Sequence, residues 1–323
     1  KVKKMKPVIR NLLRSRVYQL KYMDSVPDHA VCSEAVKLAV RKGFSGLRGY
    51  VNGVLRNVVR KMDEIEYPKE DVQRLSVKYS VPEWILSLWK KEYGEEITEK
   101  MAADFQKEKP ITIRCCMNRV TPEVLKEKLE AEGAKVEAHP YLPYAFYLSD
   151  YDYLEGLESF QEGLFAVQDI SSMFVGELAD PKAGDHVIDV CAAPGGKSLH
   201  VAEKLQLADE VAARENGTEE KTGRVEARDL TEYKTDLIEE NKDRMCYENV
   251  EVQQWDALVE DESLLESVDV LLADLPCSGL GIMGRKNDIK YQMTQQQLSE
   301  LAQLQRNILS VIWRYVKPGG EMI

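Results

Sequence analysis

Four short apolar segments, HVIDVCA, GRVEARD, VEVQQWD and VDVLLAD, recur between residues 186 and 274, each with a β-branched centre and no internal proline. Helical stretches, SLHVAEKLQLADEVAA and TEYKTDLIEENKDRMC, separate the first three. A third, QQQLSELAQLQRNILSVIWRYV, follows the fourth and sets Leu298, Leu301, Leu304, Ile308 and Ile312 on one face. Strands spaced by helices cannot pair as hairpins. They must cross over, which predicts a mostly parallel, doubly wound α/β sheet covered by helices. Only a short connection is visible between VEVQQWD and VDVLLAD, and ARENGTEEKTG reads as a polar loop insertion before the second strand.

Upstream the periodicity differs. Residues 1–62 read as all-helical: AVCSEAVKLAVRKG stops at Gly43, and GYVNGVLRNVVRKM places Val51, Val54, Leu55 and Val58 on one side. Pro68 interrupts a charged stretch, and SVPEWILSLWKKEYG then starts a helix with Pro82 near its first turn and Trp84, Leu86 and Trp89 available for packing. From Lys109 the chain turns strand-like in ITIRCCMNR, helical in TPEVLKEKLEAEG between a Thr121 cap and Gly133, and strand-like again in AKVEAHP and AFYLS. These shifts predict a helical domain over 1–72, a helical linker over 73–107, a small α/β subdomain over 108–162 and the parallel sheet over 163–323.

Composition narrows the function classes. There is no run of eighteen apolar residues, and KVKKMKPVIRNLL holds no apolar segment ending in a small-residue cleavage site, so neither a membrane span nor a secretory signal is expected. The six cysteines form no CxxC pair and only four histidines are present, which argues against a metal site and for free thiols in a cytoplasmic chain. The net charge of −11 conceals an asymmetry. Residues 1–60 carry 14 Lys and Arg against 3 Asp and Glu, a net of +11, leaving −22 for the other 263. A basic module on an acidic body suits a polyanion partner, although a solvated helical surface would carry the same charges.

The carboxyl ends of the apolar segments carry the chemistry. VIDVCAAPGGKSLH passes from strand to helix through Cys191, Ala192, Ala193, Pro194, Gly195, Gly196 and Lys197, small residues that let a ligand approach the backbone. The turn is neither the GxGxxG of a dinucleotide site nor a phosphate loop. Asp189, Asp229, Asp256 and Asp274 then fall at or near four successive strand ends, where open α/β sheets bind ligands. Asp229 suits a ribose diol, Asp256 an adenine amino group, and Asp189 and Asp274 the cationic end of a ligand. Aspartates also cap helices and end strands without binding anything. Acting together, they describe a nucleoside with a positive centre and no phosphate, which matches S-adenosylmethionine better than NAD or ATP.

DVCAAPGGKS, the two following aspartates and DLPCSGLGIMGRKNDIKY together resemble the RNA cytosine-C5 methyltransferases. VPDHAVCSEAVKLAV and YVNGVLRNVVR are similar to the domain shared with the antitermination factor NusB, and FAVQDISSMFVGELADPKAG to the segment that precedes the cofactor strand. That combination resembles the Sun family of bacterial 16S ribosomal RNA cytosine-C5 methyltransferases over nearly the whole chain. The resemblance implies a Rossmann-like methyltransferase sheet behind a NusB-like helical domain, with S-adenosyl-L-methionine contacts at Cys191 to Lys197, Asp229, Asp256 and Asp274. It implies 16S ribosomal RNA as partner and a monomeric protein. It also implies covalent catalysis: a thiolate adds to C6 of the cytosine so that C5 can take the methyl group.

In that family two cysteines share the work. The one after proline, Cys277 here, assists product release; the attacking one lies in a Thr-Cys motif just after the fifth strand begins. The sequence ends at KPGGEMI, where that strand starts, and contains no Thr-Cys. The expectation is therefore a chain shortened at both ends relative to the family and lacking the attacking thiol. Asn287 stands where relatives commonly have proline. An RNA path is expected over Arg285, Lys286, Lys290 and the strand with Arg114 and Asn118. The competing readings are a cytosine-C5 methyltransferase of transfer or other RNA, and a non-enzymatic RNA-binding protein that keeps the pocket.

Overall fold

The computed structural model describes residues 2–64, 66–107, 109–217 and 222–323. The chain divides into two compact units, Lys1–Thr98 and Glu99–Ile323.

The first unit is helical, with α1 (Pro7–Tyr22), α2 (Asp28–Arg41), α3 (Arg48–Arg60), α4 (Asp71–Tyr79) and the start of α5 (Glu83–Asp104). Apolar residues three and four apart make one stripe per helix. Ile9, Leu12 and Leu13 of α1 meet Cys32, Ala35 and Ala39 of α2 and Val51 and Leu55 of α3 in a single core. Arg14, Lys21, Arg41, Arg48, Arg56 and Arg60 point to solvent instead. Leu86 and Trp89 are buried and Trp84 half-buried, as packing residues should be. Gly94 leaves the helical region inside α5 (φ 80°, ψ 172°).

The second unit holds two sheets. The smaller is antiparallel in the order β2-β3-β1-β4, built from β1 (Ile111–Cys115), β2 (Lys135–Ala138), β3 (Ala145–Ser149) and β4 (Phe165–Val167). The helix α6 (Pro122–Ala131) joins β1 to β2, with Thr121 accepting from the Val124 N–H and Pro122 at its first position. The strand β4 lies beyond residue 162, after the short α7 (Glu158–Gln161). The helix α8 (Ile170–Ala179) leads from it to the larger sheet.

The larger sheet is parallel throughout, in the order β7-β6-β5-β8-β9. Its strands are β5 (His186–Asp189), β6 (Arg224–Asp229), β7 (Val250–Gln254), β8 (Val268–Leu272) and β9 (Val316–Met322). The helices are α9 (Gly196–Asn216), α10 (Glu232–Met245), α11 (Ile289–Gln292) and α12 (Gln295–Ile312). The chain runs outward from β5 to β7 and then returns to β8 on the other side of β5. That reversal is the switch point at which doubly wound sheets open a crevice. The connection from β7 to β8 contains one short 3-10 turn, Glu262–Leu264. On α12 the second half of the predicted face holds: Leu304, Ile308 and Ile312 pack with Val268, Leu271 and Tyr315, whereas Leu298 and Leu301 are half-buried outside that core. One expectation is corrected. The stretch from Ala213 to Asn216 continues α9, and only at Gly217 does the backbone turn left-handed; Ala213 is buried, which favours the helical state there. Residues 218–221 of the expected loop lie outside the described residues, and 222–223 form no helix or strand before β6.

A buried polar cluster joins the two sheets. Arg114 on β1 is fully buried, with Nη1 donating to Glu203 Oε2 on α9 at 2.8 Å and Nε donating to Gln168 Oε1 at 2.8 Å. The Tyr247 hydroxyl donates to the same Glu203 oxygen at 2.5 Å. Arg114 is therefore no part of an RNA-facing surface, contrary to expectation. Removing a partner from such a pair strands a buried charge, at a cost of about 3–5 kcal/mol. A second tie runs beside it: Arg244 Nη1 donates to the Phe160 and Phe165 carbonyls, its guanidinium 4.1 Å from the centre of the Phe160 ring. There Gly163 (φ 69°) is required, since a Cβ would lie 1.9 Å from the Arg244 carbonyl oxygen.

Candidate active site

All five parallel strands point their carboxyl ends to one edge, and the functional residues collect there. The chain leaves β5 at Asp189 and reaches α9 through Val190 to Gly195. Two backbone bonds shape this turn: Ala192 N–H to the Arg228 carbonyl at 2.9 Å and Gly195 N–H to the Ala192 carbonyl at 2.7 Å. Gly195 has φ 101°, a conformation that disfavours any side chain.

Asp229, the last residue of β6, is 3% exposed, and its carboxylate accepts from Ala193 N–H (3.0 Å), Leu230 N–H (2.7 Å) and Lys234 Nζ (2.8 Å). It thus fixes the turn from the neighbouring strand. Asp189 is buried and accepts from the Ser198 hydroxyl at 2.6 Å and Cys191 N–H at 3.3 Å. Burial pushes its carboxyl up to about 6, against the smaller opposing pull of those two donors.

A cleft of about 170 Å³ opens beside the turn. Gln168, Asp169 and Ser172 contribute to its lining together with Ala192 to Pro194, Gly196 and Lys197; Asp189 and Asp274 complete it. Lys197 Nζ lies 2.5 Å from Asp274 Oδ2, bridging the α9 terminus and the chain beyond β8. Of the residues expected at the cofactor, Ala192, Ala193, Pro194, Gly196, Lys197 and Asp274 line this cleft. Cys191, Gly195, Asp229, Asp256 and Cys277 do not. Asp256 is half-buried two residues past β7, where Oδ1 accepts from Leu258 N–H at 3.0 Å.

Burial, with Asp229 adding to it, pushes the Cys191 thiol up to about 12, so it stays protonated at neutral pH. Burial also raises Cys32, Cys115 and Cys116. Cys246 and Cys277 are exposed. Cys246 precedes β7 and lines a separate cavity of about 560 Å³ with Asn118, Arg119 and Arg224, at the amino edge of the sheet. Cys277 follows β8 at the carboxyl edge, on a loop tethered by the Pro276 carbonyl, which accepts from Gln305 Nε2 at 2.9 Å. Ser278 Oγ accepts from Leu280 N–H at 3.3 Å within the same loop.

The expected RNA path is dispersed. Asn118 sits at the opposite edge from the cleft, Lys290 is 4% exposed with its pKa lowered by that burial, and Arg285 pairs with Asp169 at 2.6 Å. Lys286 is exposed. Sequence reasoning missed Gln168, Asp169 and Ser172 as individuals, although all three lie in FAVQDISSMFVGELADPKAG, whose resemblance to the segment before the cofactor strand was the available signal. Among the described residues no group of three or more His, Cys, Asp or Glu is arranged to hold a metal ion, and no helix is long and apolar enough to cross a membrane.

Comparison with known proteins agrees with this arrangement. Residues 177–323 match the family described as 16S rRNA methyltransferase RsmB/F, residues 1–60 the NusB family, and residues 81–151 the ferredoxin-like domain of RsmF/B-like methyltransferases. The chain is 35% identical to the probable ribosomal RNA small subunit methyltransferase B of Bacillus subtilis, over 100% of its own length and 69% of the relative's. It is 31% identical to the ribosomal RNA small subunit methyltransferase B of Escherichia coli O1:K1, over 98% and 69%. The crystal structure of PH0851 superposes with a TM-score of 0.78 at 26% identity, covering 100% of this chain and 70% of that one. NSun6 from Pyrococcus horikoshii shares the fold with a TM-score of 0.63 at 21% identity, covering 75% and 82%.

The buried Asp189 predicts a pH dependence. A carboxyl near 3.9 in the unfolded chain and about 6 in the folded one contributes stability below the lower value. That contribution is lost as pH rises through the upper one, by at most about 3 kcal/mol. Urea unfolding of Asp189→Asn should gain on the wild type between pH 4 and pH 7. Parallel pH profiles for the two proteins would show that the carboxyl ionises in the folded state as easily as in the unfolded.

Proposed function

This chain belongs to the ribosomal RNA small subunit methyltransferase B family, RNA cytosine-C5 methyltransferases, and from that premise we propose how its residues divide the work on a cytosine of 16S ribosomal RNA. The observation that carries the reading is the convergence of the glycine turn, the Lys197–Asp274 bridge and the loop of Cys277 on the carboxyl edge of one parallel sheet. The donor set fits S-adenosylmethionine. Asp169, Asp189 and Asp274 line the cleft with carboxylates, and Lys197 in the same lining is already neutralised by Asp274. Such a set would repel a pyrophosphate and accept a nucleoside with a cationic centre. When bound, that cofactor supplies an electrophilic methyl group on sulfur.

The rest falls to the protein. Residues 191–197 hold the cofactor against the α9 terminus, and Asp229 keeps them in place through the Ala193 N–H. Asp229 and Asp256 stand at the ends of the strands that would receive the ribose and adenine. Lys197 and Asp274, paired with each other, complete the lining of the cofactor cleft, and the target base must leave its stack to reach it. Cytosine C5 becomes nucleophilic only after a thiolate has added to C6, and the adduct must later lose the C5 proton and expel the thiolate. Cys277, exposed and tethered, serves that release. The 323 residues contain no Thr-Cys, the motif assigned to the attack. The exposed arginines of α1 and α3 grip the RNA backbone.

Three outcomes are expected. Calorimetry should detect S-adenosylmethionine binding that Asp229→Ala weakens at least tenfold, because the turn loses its anchor; equal heats for both proteins, or none for either, would remove the cofactor assignment.

RNA affinity should fall steeply with salt, and Arg14→Glu with Arg56→Glu should flatten the log–log slope by about one unit for each phosphate that is no longer neutralised. A slope unchanged by both substitutions would leave those arginines as solvated surface.

Incubation with cofactor and unmodified 16S RNA should give no protein–RNA adduct on a denaturing gel, with or without Cys277→Ala. An adduct formed by the unsubstituted chain and abolished by Cys277→Ala would make Cys277 the attacking thiol.

A further inference from the structure

The turn between β5 and α9 is held from two sides, and β6 is only one of them. Ala192 N–H donates to the Arg228 carbonyl at 2.9 Å and Ala193 N–H to Asp229 Oδ2 at 3.0 Å, so β6 takes both backbone donors. Pro194 has no N–H, and its carbonyl is the group that remains to be tied. The tie comes from α10: Asn241 Nδ2 donates to the Pro194 carbonyl at 3.1 Å. Three residues earlier on the same helix, Ile238 meets the turn as well; a Cβ at Gly195 would lie 3.4 Å from its Cγ2. Pro194 itself lines the cleft.

The amide of Asn241 is not free to turn over. Its oxygen accepts from Arg244 Nη2 at 3.1 Å, and a guanidinium offers only donors, so the oxygen faces Arg244 and the nitrogen faces the turn. Two acceptors lie in reach of the two N–H groups on that nitrogen, the Pro194 carbonyl and the Leu237 carbonyl, the latter at 3.0 Å. Arg244 is in turn fixed from the small sheet and the helix before it. Its Nη1 donates to the Phe160 carbonyl at 2.9 Å and the Phe165 carbonyl at 3.2 Å. These acceptors and the Asn241 oxygen are all neutral. The guanidinium therefore works here by direction, orienting two carbonyls and one amide.

We propose that Arg244 and Asn241 are positioning residues for the cofactor: Arg244 orients the Asn241 amide, and Asn241 sets the Pro194 carbonyl and with it the turn that lines the cleft. This rests on the cofactor reading given above and adds to it two residues that do not line the cleft themselves. The small antiparallel sheet takes part through them, since Phe165 belongs to β4. A turn already held in place has less to lose in ordering when a ligand binds.

Calorimetry with S-adenosylhomocysteine, joined to amide hydrogen exchange, tests this. Asn241→Leu should weaken the ligand about threefold to tenfold, the range for one hydrogen bond. Asn241→Asp keeps the shape and the acceptor for Arg244 but offers Pro194 no N–H, and should weaken the ligand at least as much. Arg244→Met should lose a similar factor. Combined with Asn241→Leu it should cost no more than Asn241→Leu alone, because Arg244 acts through the amide. Exchange over residues 190–196 should quicken in both Asn241 variants, while the middle of α10 exchanges as in the unsubstituted protein. Equal quickening of the turn and α10 would place the effect on the fold and overturn the proposal. Unchanged affinity in both Asn241 variants also overturns it and leaves the cofactor reading standing. Additive losses in the double variant would make the two residues independent and end the relay. If the unsubstituted protein binds no S-adenosylhomocysteine, the cofactor reading fails first and takes this proposal with it.

Discussion

The ion pair between Arg114 and Glu203 is the interaction on which the rest of the second unit depends. Neither side chain is exposed, so both charges have given up water. Burial by itself would lower the guanidinium's pKa; the Glu203 carboxylate, with the smaller contributions of the groups around it, outweighs that and keeps Arg114 charged. Tyr247, its phenol pushed well up by burial, donates to the same carboxylate and stays neutral. Close by, His200 is held neutral by burial and by the positive charges of Arg114 and Lys204. The cluster contributes little net stability, because desolvation offsets much of the attraction. Its value is geometric. A charge pair inside an apolar boundary has one satisfactory arrangement, and that arrangement fixes β1 against α9.

Two sheets that could slide on apolar contacts alone are thereby registered. The cleft needs this, since it is built from both: residues 167–172 come from the end of β4 and the start of α8, and the opposing residues from the turn into α9. Arg285 and Asp169 reinforce the same junction from the loop after β8. A site built from two sheets gains from such construction, because a small misplacement of reacting groups slows chemistry severely.

The four aspartates at the strand ends look alike in the sequence and differ in use. Asp229 has turned inward and spends its oxygens on the turn and on Lys234. Asp189 is buried beneath the same turn with Ser198. Asp274 stays near the surface and bridges to Lys197, and Asp256 remains half-buried beyond β7. The difference follows from position: the central strands β5 and β6 end under the turn, whereas the other two aspartates lie past the ends of β7 and β8, where water reaches them.

The sequence by itself determined the parallel sheet, because strands spaced by helices permit no hairpin, and it placed the glycine turn and the acidic strand ends within that plan. It also carried the motif around Cys277 and the helical character of the first 60 residues. These are local signals, readable in windows of a dozen residues. Only the tertiary structure decided that Arg114 is a buried anchor and not an RNA contact, that Asn118 lines a cavity at the opposite edge from the cleft, and that Gln168 belongs to the lining of the cleft. Arg114 meets Gln168 and Glu203 across 54 and 89 residues of chain, and an arginine within a strand-like segment does not state which face is buried. The identity of a polar residue is written in the sequence; whether water or another chain segment satisfies it is settled by what packs beside it.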